Sequence, residues 1–181
     1  MLTRSLTRTL GTAAALASAG AVAIGTAGAE GGAGDAAATK QITAEGVGRV
    51  KLGKTFRRLR SAGLVSRLGP GCELGGPNTR SAKLRAPLKG TVDFTTRNPP
   101  RRARTILVRA GGEARGVGIG DKLADIKAAF PKAKVDHRSE EVFGITRVKI
   151  PRNGGGPLAF SVDVDSGMID MIGIPDLAFC E

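Results

Sequence analysis

The sequence predicts an α+β fold of two tandem repeats, each a short helix packed on a small antiparallel sheet. One reason is self-similarity: VKLGKTFRRLRSAG at residues 50–63 is restated as VGIGDKLADIKAAF at residues 117–130, an offset of 67. Val50, Gly53 and Ala62 recur as Val117, Gly120 and Ala129, and Leu52, Phe56, Leu59 and Arg60 as Ile119, Leu123, Ile126 and Lys127. Spaced restatement of this kind marks a repeat architecture. A second reason is element order, since each helix-period stretch is followed by alternating strand-like runs bounded by Gly, Pro and Asn, the pattern of an α+β unit. The offset also persists into the strands: Val92 and Phe94 precede Phe160 and Val162 by 68, and Ile106 and Val108 precede Ile172 and Ile174 by 66.

Taken in order, residues 45–52 predict a short strand that turns at Gly53. Phe56, Leu59 and Gly63 then fall at i, i+3 and i+7, predicting a helix of about two and a half turns. Residues 75–87 hold too many chain breakers for regular structure beyond a brief strand near Leu84. Residues 88–96 alternate, with Val92 and Phe94 on one face and Thr91, Asp93 and Thr95 on the other. Asn98-Pro99-Pro100 is the turn, and residues 103–110 are the returning strand.

In the second unit Asp121 is the expected N-cap of a helix whose buried stripe is Leu123, Ile126 and Phe130, and Pro131 ends it. Strands are expected over residues 142–150 and 158–164, the latter with Phe160, Val162 and Val164 inward. Asp165-Ser166-Gly167 makes a hairpin turn into a nearly continuous apolar strand over residues 168–174.

Leu52-Gly53-Lys54-Thr55 followed by Leu59, and Ile119-Gly120-Asp121-Lys122 followed by Ile126, resemble the helix-opening motif of β-lactamase-inhibitor-protein-like tandem repeats and of small lipoproteins in outer-membrane β-barrel assembly. The resemblance covers residues from about 45 to the end in element order, and it implies a non-catalytic protein-binding module. Those inhibitors carry a disulfide inside each repeat and an aromatic-rich concave face. This chain has one Cys per repeat and 3% aromatic residues with no Trp or Tyr, so the fold carries over and no binding residue does.

Residues 1–29 have Arg4 and Arg8 ahead of an apolar run and end in Ala27-Gly28-Ala29. That is the order of a secretory signal peptide, with cleavage expected after Ala29. A secreted protein without a membrane span follows, in which residues 30–41 are a tether of small and polar residues. Residues 42–112 and 113–181 are the two repeats of one shared globular unit, expected to be a monomer. Export places Cys72 and Cys180 where disulfides persist. Their pairing would close a loop of about 108 residues and stabilise the fold by about 4–5 kcal/mol; a free thiol or a metal pair is the competing reading. With a single His in the chain, a closed zinc site is hard to build, and neither cofactor nor metal is expected.

Catalytic patterns are thin. His137 is the sole imidazole and lies beside Asp136 in a polar stretch; a general base is conceivable there, but an exposed loop histidine is the plainer reading. Gly116-Val117-Gly118-Ile119-Gly120 lacks the glycine spacing of a dinucleotide fingerprint. Asp163-Val164-Asp165-Ser166-Gly167 starts like a calcium loop but lacks its later acidic ligands.

The net charge of +12 is uneven: residues 30–115 hold 18 Lys and Arg against 6 Asp and Glu, and residues 116–181 hold 8 against 10. Lys54, Arg57, Arg58 and Arg60 on the first helix, with Arg97, Arg101, Arg102 and Arg104 around the proline turn, form a candidate anion- or partner-binding face. The expected function is therefore non-enzymatic recognition of a protein or an anionic envelope polymer. Inhibition of an extracellular enzyme is the alternative, and a small hydrolase using His137 with Asp136 the remote one. Nucleic acid is disfavoured, because the chain offers no aromatic stacking platform.

Overall fold

The computed structural model describes residues 40–72, 78–95, 100–151 and 157–178. These form a mixed α+β structure with two sheets, three short helices and mostly strands. In chain order the elements are β1 (Lys40–Thr43), β2 (Gly46–Val47), β3 (Val50–Lys51), α1 (Phe56–Ser61), β4 (Gly69–Pro70), β5 (Arg80–Lys83), β6 (Lys89–Phe94) and β7 (Ala103–Ala110). They continue with β8 (Gly112–Ala114), β9 (Val117–Gly118), α2 (Leu123–Ala129), β10 (Lys134–Asp136), α3 (Glu140–Phe143), β11 (Ile145–Ile150), β12 (Leu158–Asp163) and β13 (Ile169–Ile174).

A five-stranded sheet runs β3-β2-β1-β8-β9, parallel only between β1 and β8. An eight-stranded antiparallel sheet runs β10-β11-β12-β13-β7-β6-β5-β4. Its centre is the β13–β7 pair, where Ile172, Gly173 and Ile174 face Val108, Leu107 and Ile106. The alternation read from the sequence places Val92, Phe94, Ile106, Val108, Phe160, Val162, Ile172 and Ile174 in one buried core, which Leu59 of α1, Ile126 of α2 and Val47 and Val50 of the small sheet complete. Burying an aliphatic side chain of this size stabilises the fold by about 1.5–3 kcal/mol.

The opposite face of the large sheet carries a smaller apolar cluster of Leu107, Ile145, Ala159, Met171 and Leu177. The chain after β13 folds back to supply Leu177. It passes so close that a Cβ on Gly173 would sit 2.4 Å from the Asp176 carbonyl oxygen. This second cluster explains why β12 is buried at every position from Leu158 to Val162 instead of alternating.

Several expectations need correction. Residues 45–52 form two very short strands, β2 and β3, joined through a turn at Gly48 with φ +51°, and β1 begins at Lys40, two residues inside the expected tether. α1 has six residues, not two and a half turns. The brief strand expected near Leu84 is β5, which ends one residue earlier at Lys83 and pairs one to one with β6, Ala82 opposite Val92. The strand expected from residue 142 starts only at Ile145, after α3 and Gly144 in the left-handed conformation. Val164 is 48% exposed in the turn beyond β12 rather than inward. Asp121 does not cap α2: its carboxylate accepts the Gly118 N–H at 2.7 Å, and the helix start is held by Asp125, which accepts the Lys122 N–H at 2.8 Å.

Candidate functional site

The basic face is built where α1 meets the start of β7. Gly53 N–H donates to the Ala103 carbonyl at 2.8 Å, Ala103 N–H to the Lys54 carbonyl at 2.8 Å, and Phe56 N–H to the Arg101 carbonyl at 2.8 Å. These bonds lock the residues ahead of the helix against the strand. Lys54, Arg58 and Arg102 consequently line one cavity of about 390 Å³, floored by Leu52, Gly53 and Thr55. The Arg102 guanidinium donates to the Gly53 carbonyl at 3.0 Å, which fixes its planar fork beside the cavity. Arg101 donates to the Asn78 carbonyl at 3.4 Å, and Arg57 is exposed on the helix.

Not all the predicted cations join them. Arg60 is half-buried and donates to the Val65 carbonyl at 3.1 Å. Arg104 is exposed further along β7, where its charge lowers the Asp93 pKa against the larger upward push of burial. Arg97 lies outside the described residues. Among the described residues, none of Lys54, Arg57, Arg58, Arg101 and Arg102 forms an ion pair; the three pairs present are His137–Glu140, Arg138–Asp136 and Arg147–Asp176. In a helix of six residues Arg58 belongs to the last turn as much as to the first, so the helix dipole does not single it out.

His137 and Asp136 do not bond each other. Asp136 bonds Arg138 at 2.9 Å through both oxygens, and these hydrogen bonds hold its carboxyl well below the ordinary range. His137, two-thirds exposed, meets Glu140 at 2.6 Å instead. Glu140 is lowered first by its hydrogen bond from Thr146 and then by His137. Asp163 closes its own turn, accepting the Ser166 N–H at 2.8 Å and the Ser166 hydroxyl at 2.7 Å. Among the described residues no three His, Cys, Asp or Glu side chains gather as a metal site.

Two further cavities escaped the sequence reading. One of about 540 Å³ lies between β1, the end of α2 and β12, with Ile42, Phe130 and Leu158 among its walls. Arg115 covers the Phe130 ring at 5.1 Å, and its φ of +53° is what a two-residue hairpin turn with Gly116 requires. The other, about 490 Å³, opens on the outer face of the large sheet and is lined by Asp93, Arg109, Ser161 and Asp170. A charged residue within the otherwise apolar 168–174 run was the signal available for it.

No protein-family model, curated protein or solved structure matches this chain. Among the described residues no helix is long and apolar enough to cross a membrane.

Proposed function

We propose that this protein is a secreted, non-enzymatic binding module of two tandem α+β repeats that recognises an anionic envelope polymer or acidic protein surface through the basic face beside α1. The observation that carries the reading is the convergence of Lys54, Arg58 and Arg102 on one cavity with no acidic partner among the described residues. Uncompensated cations around a concavity attract anions, and salt screens the attraction.

The repeat reading draws support from bonds that recur at nearly the sequence offset. Gly53 N–H to Ala103 O and Ala103 N–H to Lys54 O are matched by Gly120 N–H to Ile169 O and Ile169 N–H to Asp121 O. The bridges Thr55–Arg102 and Lys122–Met168 correspond in the same way. A Cys72–Cys180 bond belongs to the same proposal. Cys180 lies outside the described residues, as do residues 1–39, where the signal peptide is expected. In support, Cys72 carries no free thiol, and Ala178 shares a cavity wall with it.

The test is binding of residues 30–181 to isolated cell envelope across a salt series, beside a variant carrying Arg57→Gln, Arg58→Gln, Arg101→Gln and Arg102→Gln. Binding that weakens steeply with salt and is lost in the variant is the expected result. Binding indifferent to salt, or retained by the variant, would overturn the proposal.

A further inference from the structure

Three buried polar atoms lack a hydrogen-bond partner among the described residues: Arg147 Nε, Ser161 Oγ and Asp170 Oδ1. Their positions converge. Arg147 on β11 is the cross-strand neighbour of Ser161 on β12, and Ser161 in turn faces Met171 on β13, the residue after Asp170. The register shifts just there, between Ser161 and Val162, and a β-bulge of this kind re-aims a side chain. It brings Asp170, from a strand otherwise buried, to the same cavity as Ser161. Buried hydroxyl and carboxylate oxygens left unbonded are costly, and a native structure that keeps them together calls for a reason.

Besides the acidic Asp93 and Asp170, the cavity holds a basic side chain. Arg109, on the β7 strand adjacent to β13, also lines it, within reach across an inter-strand spacing of about 4.8 Å. Yet among the described residues the side chains of Arg109 and Asp170 bond neither each other nor any other residue. Leu107, Ile145 and Met171 supply apolar wall, with Phe143 of α3 at 43% exposure. At about 490 Å³ the space lies in the range of small-molecule sites.

We infer that this cavity binds a free α-amino acid with an apolar side chain. The Asp170 carboxylate, through the oxygen that is not buried, accepts a hydrogen bond from the ammonium, the Arg109 guanidinium takes the carboxylate in a forked pair, and the Leu107–Ile145–Met171 wall takes the side chain. The assignment is independent of the basic face, which is built from other residues.

Isothermal titration of residues 30–181 with L-leucine, L-methionine and L-phenylalanine tests it, alongside 3-methylbutylamine and 4-methylpentanoate, the two halves of leucine's polar end. Saturable one-to-one binding of at least one amino acid is expected, with amine and acid each about tenfold or more weaker than leucine. Asp170→Asn and Arg109→Gln should each weaken amino-acid binding by about tenfold or more, while Arg58→Gln with Arg102→Gln leaves it unchanged. Absence of saturable binding for all three amino acids overturns the inference, as does an amine that binds as well as leucine. The comparison of leucine with its halves uses the unaltered chain and stands even if a variant fails to fold.

Discussion

α1 and α2 sit at corresponding places and are pinned to the large sheet by corresponding backbone bonds, but their chemistry is opposite. Ahead of α1 stand Lys54 and Thr55, with Arg57 and Arg58 in its first turn and no acid there. Ahead of α2 stand Asp121 and Lys122, and Asp125 is in the first turn. The acids of the second helix are consumed in holding backbone, by bonds of 2.7 and 2.8 Å to Gly118 and Lys122. At the first helix Thr55 does that work, accepting the Arg58 N–H at 3.3 Å, which leaves the cations uncommitted. Where α1 has Arg102 in its bridge to the sheet, α2 has Met168. The buried half of the pattern is alike at the two helices and the exposed half differs, as expected when packing constrains one face of a short helix and solvent the other.

The largest effect should come from the shared half. Leu59→Ala and Ile126→Ala each remove a side chain that is 2% or less exposed, and each should cost about 2–5 kcal/mol in urea denaturation. A loss below about 1 kcal/mol at one of the two would break the equivalence of the helices. Next comes the divergent half: Arg58→Gln with Arg102→Gln should weaken binding to an anionic polymer by about tenfold at low salt. Lys122→Gln with Met168→Gln, at the bridge that corresponds to Thr55–Arg102, should leave it unchanged.

The caps follow. Asp125→Ala should destabilise by about 1 kcal/mol, and Thr55→Ala by less, given its longer bond. The smallest effect concerns pH. Burial raises the Asp93 pKa, with Arg104 opposing, so the folded state holds this proton more tightly than the unfolded chain. Stability should therefore fall as pH rises from the ordinary carboxylate pKa through the raised one. Asp93→Asn should flatten that segment of the melting-temperature profile and raise stability at neutral pH.

Much of the fold was legible because burial repeats with a period. Alternation in residues 88–96 and 103–110 gave β6 and β7 to within two residues, and Leu59 and Ile126 sit where helical spacing put them. β5 was legible only as a brief strand near Leu84, since Arg80, Ser81 and Lys83 have no strand-like alternation of large apolar residues and are held by pairing with β6. α3 was hidden inside a strand-like run, where Gly144 supplies the left-handed end that separates it from β11. Of the basic face, the cations were visible as a local excess; which of them converge was not. Arg60 and Arg104 are near Arg58 and Arg102 in sequence, yet one turns to Val65 and the other lies beside Asp93.

By itself the sequence determined the α+β class, the residues of the main core and the charge asymmetry between the halves, because each depends on local period or composition. Tertiary structure alone decided which cations share the Gly53 cavity and that Ser161, Asp170 and Arg109 meet on the outer face. Those groupings depend on strand order, on a bulge and on the fold-back of residues 175–178, which bring together positions more than 50 residues apart, such as Arg109 and Ser161, and no local spacing encodes them.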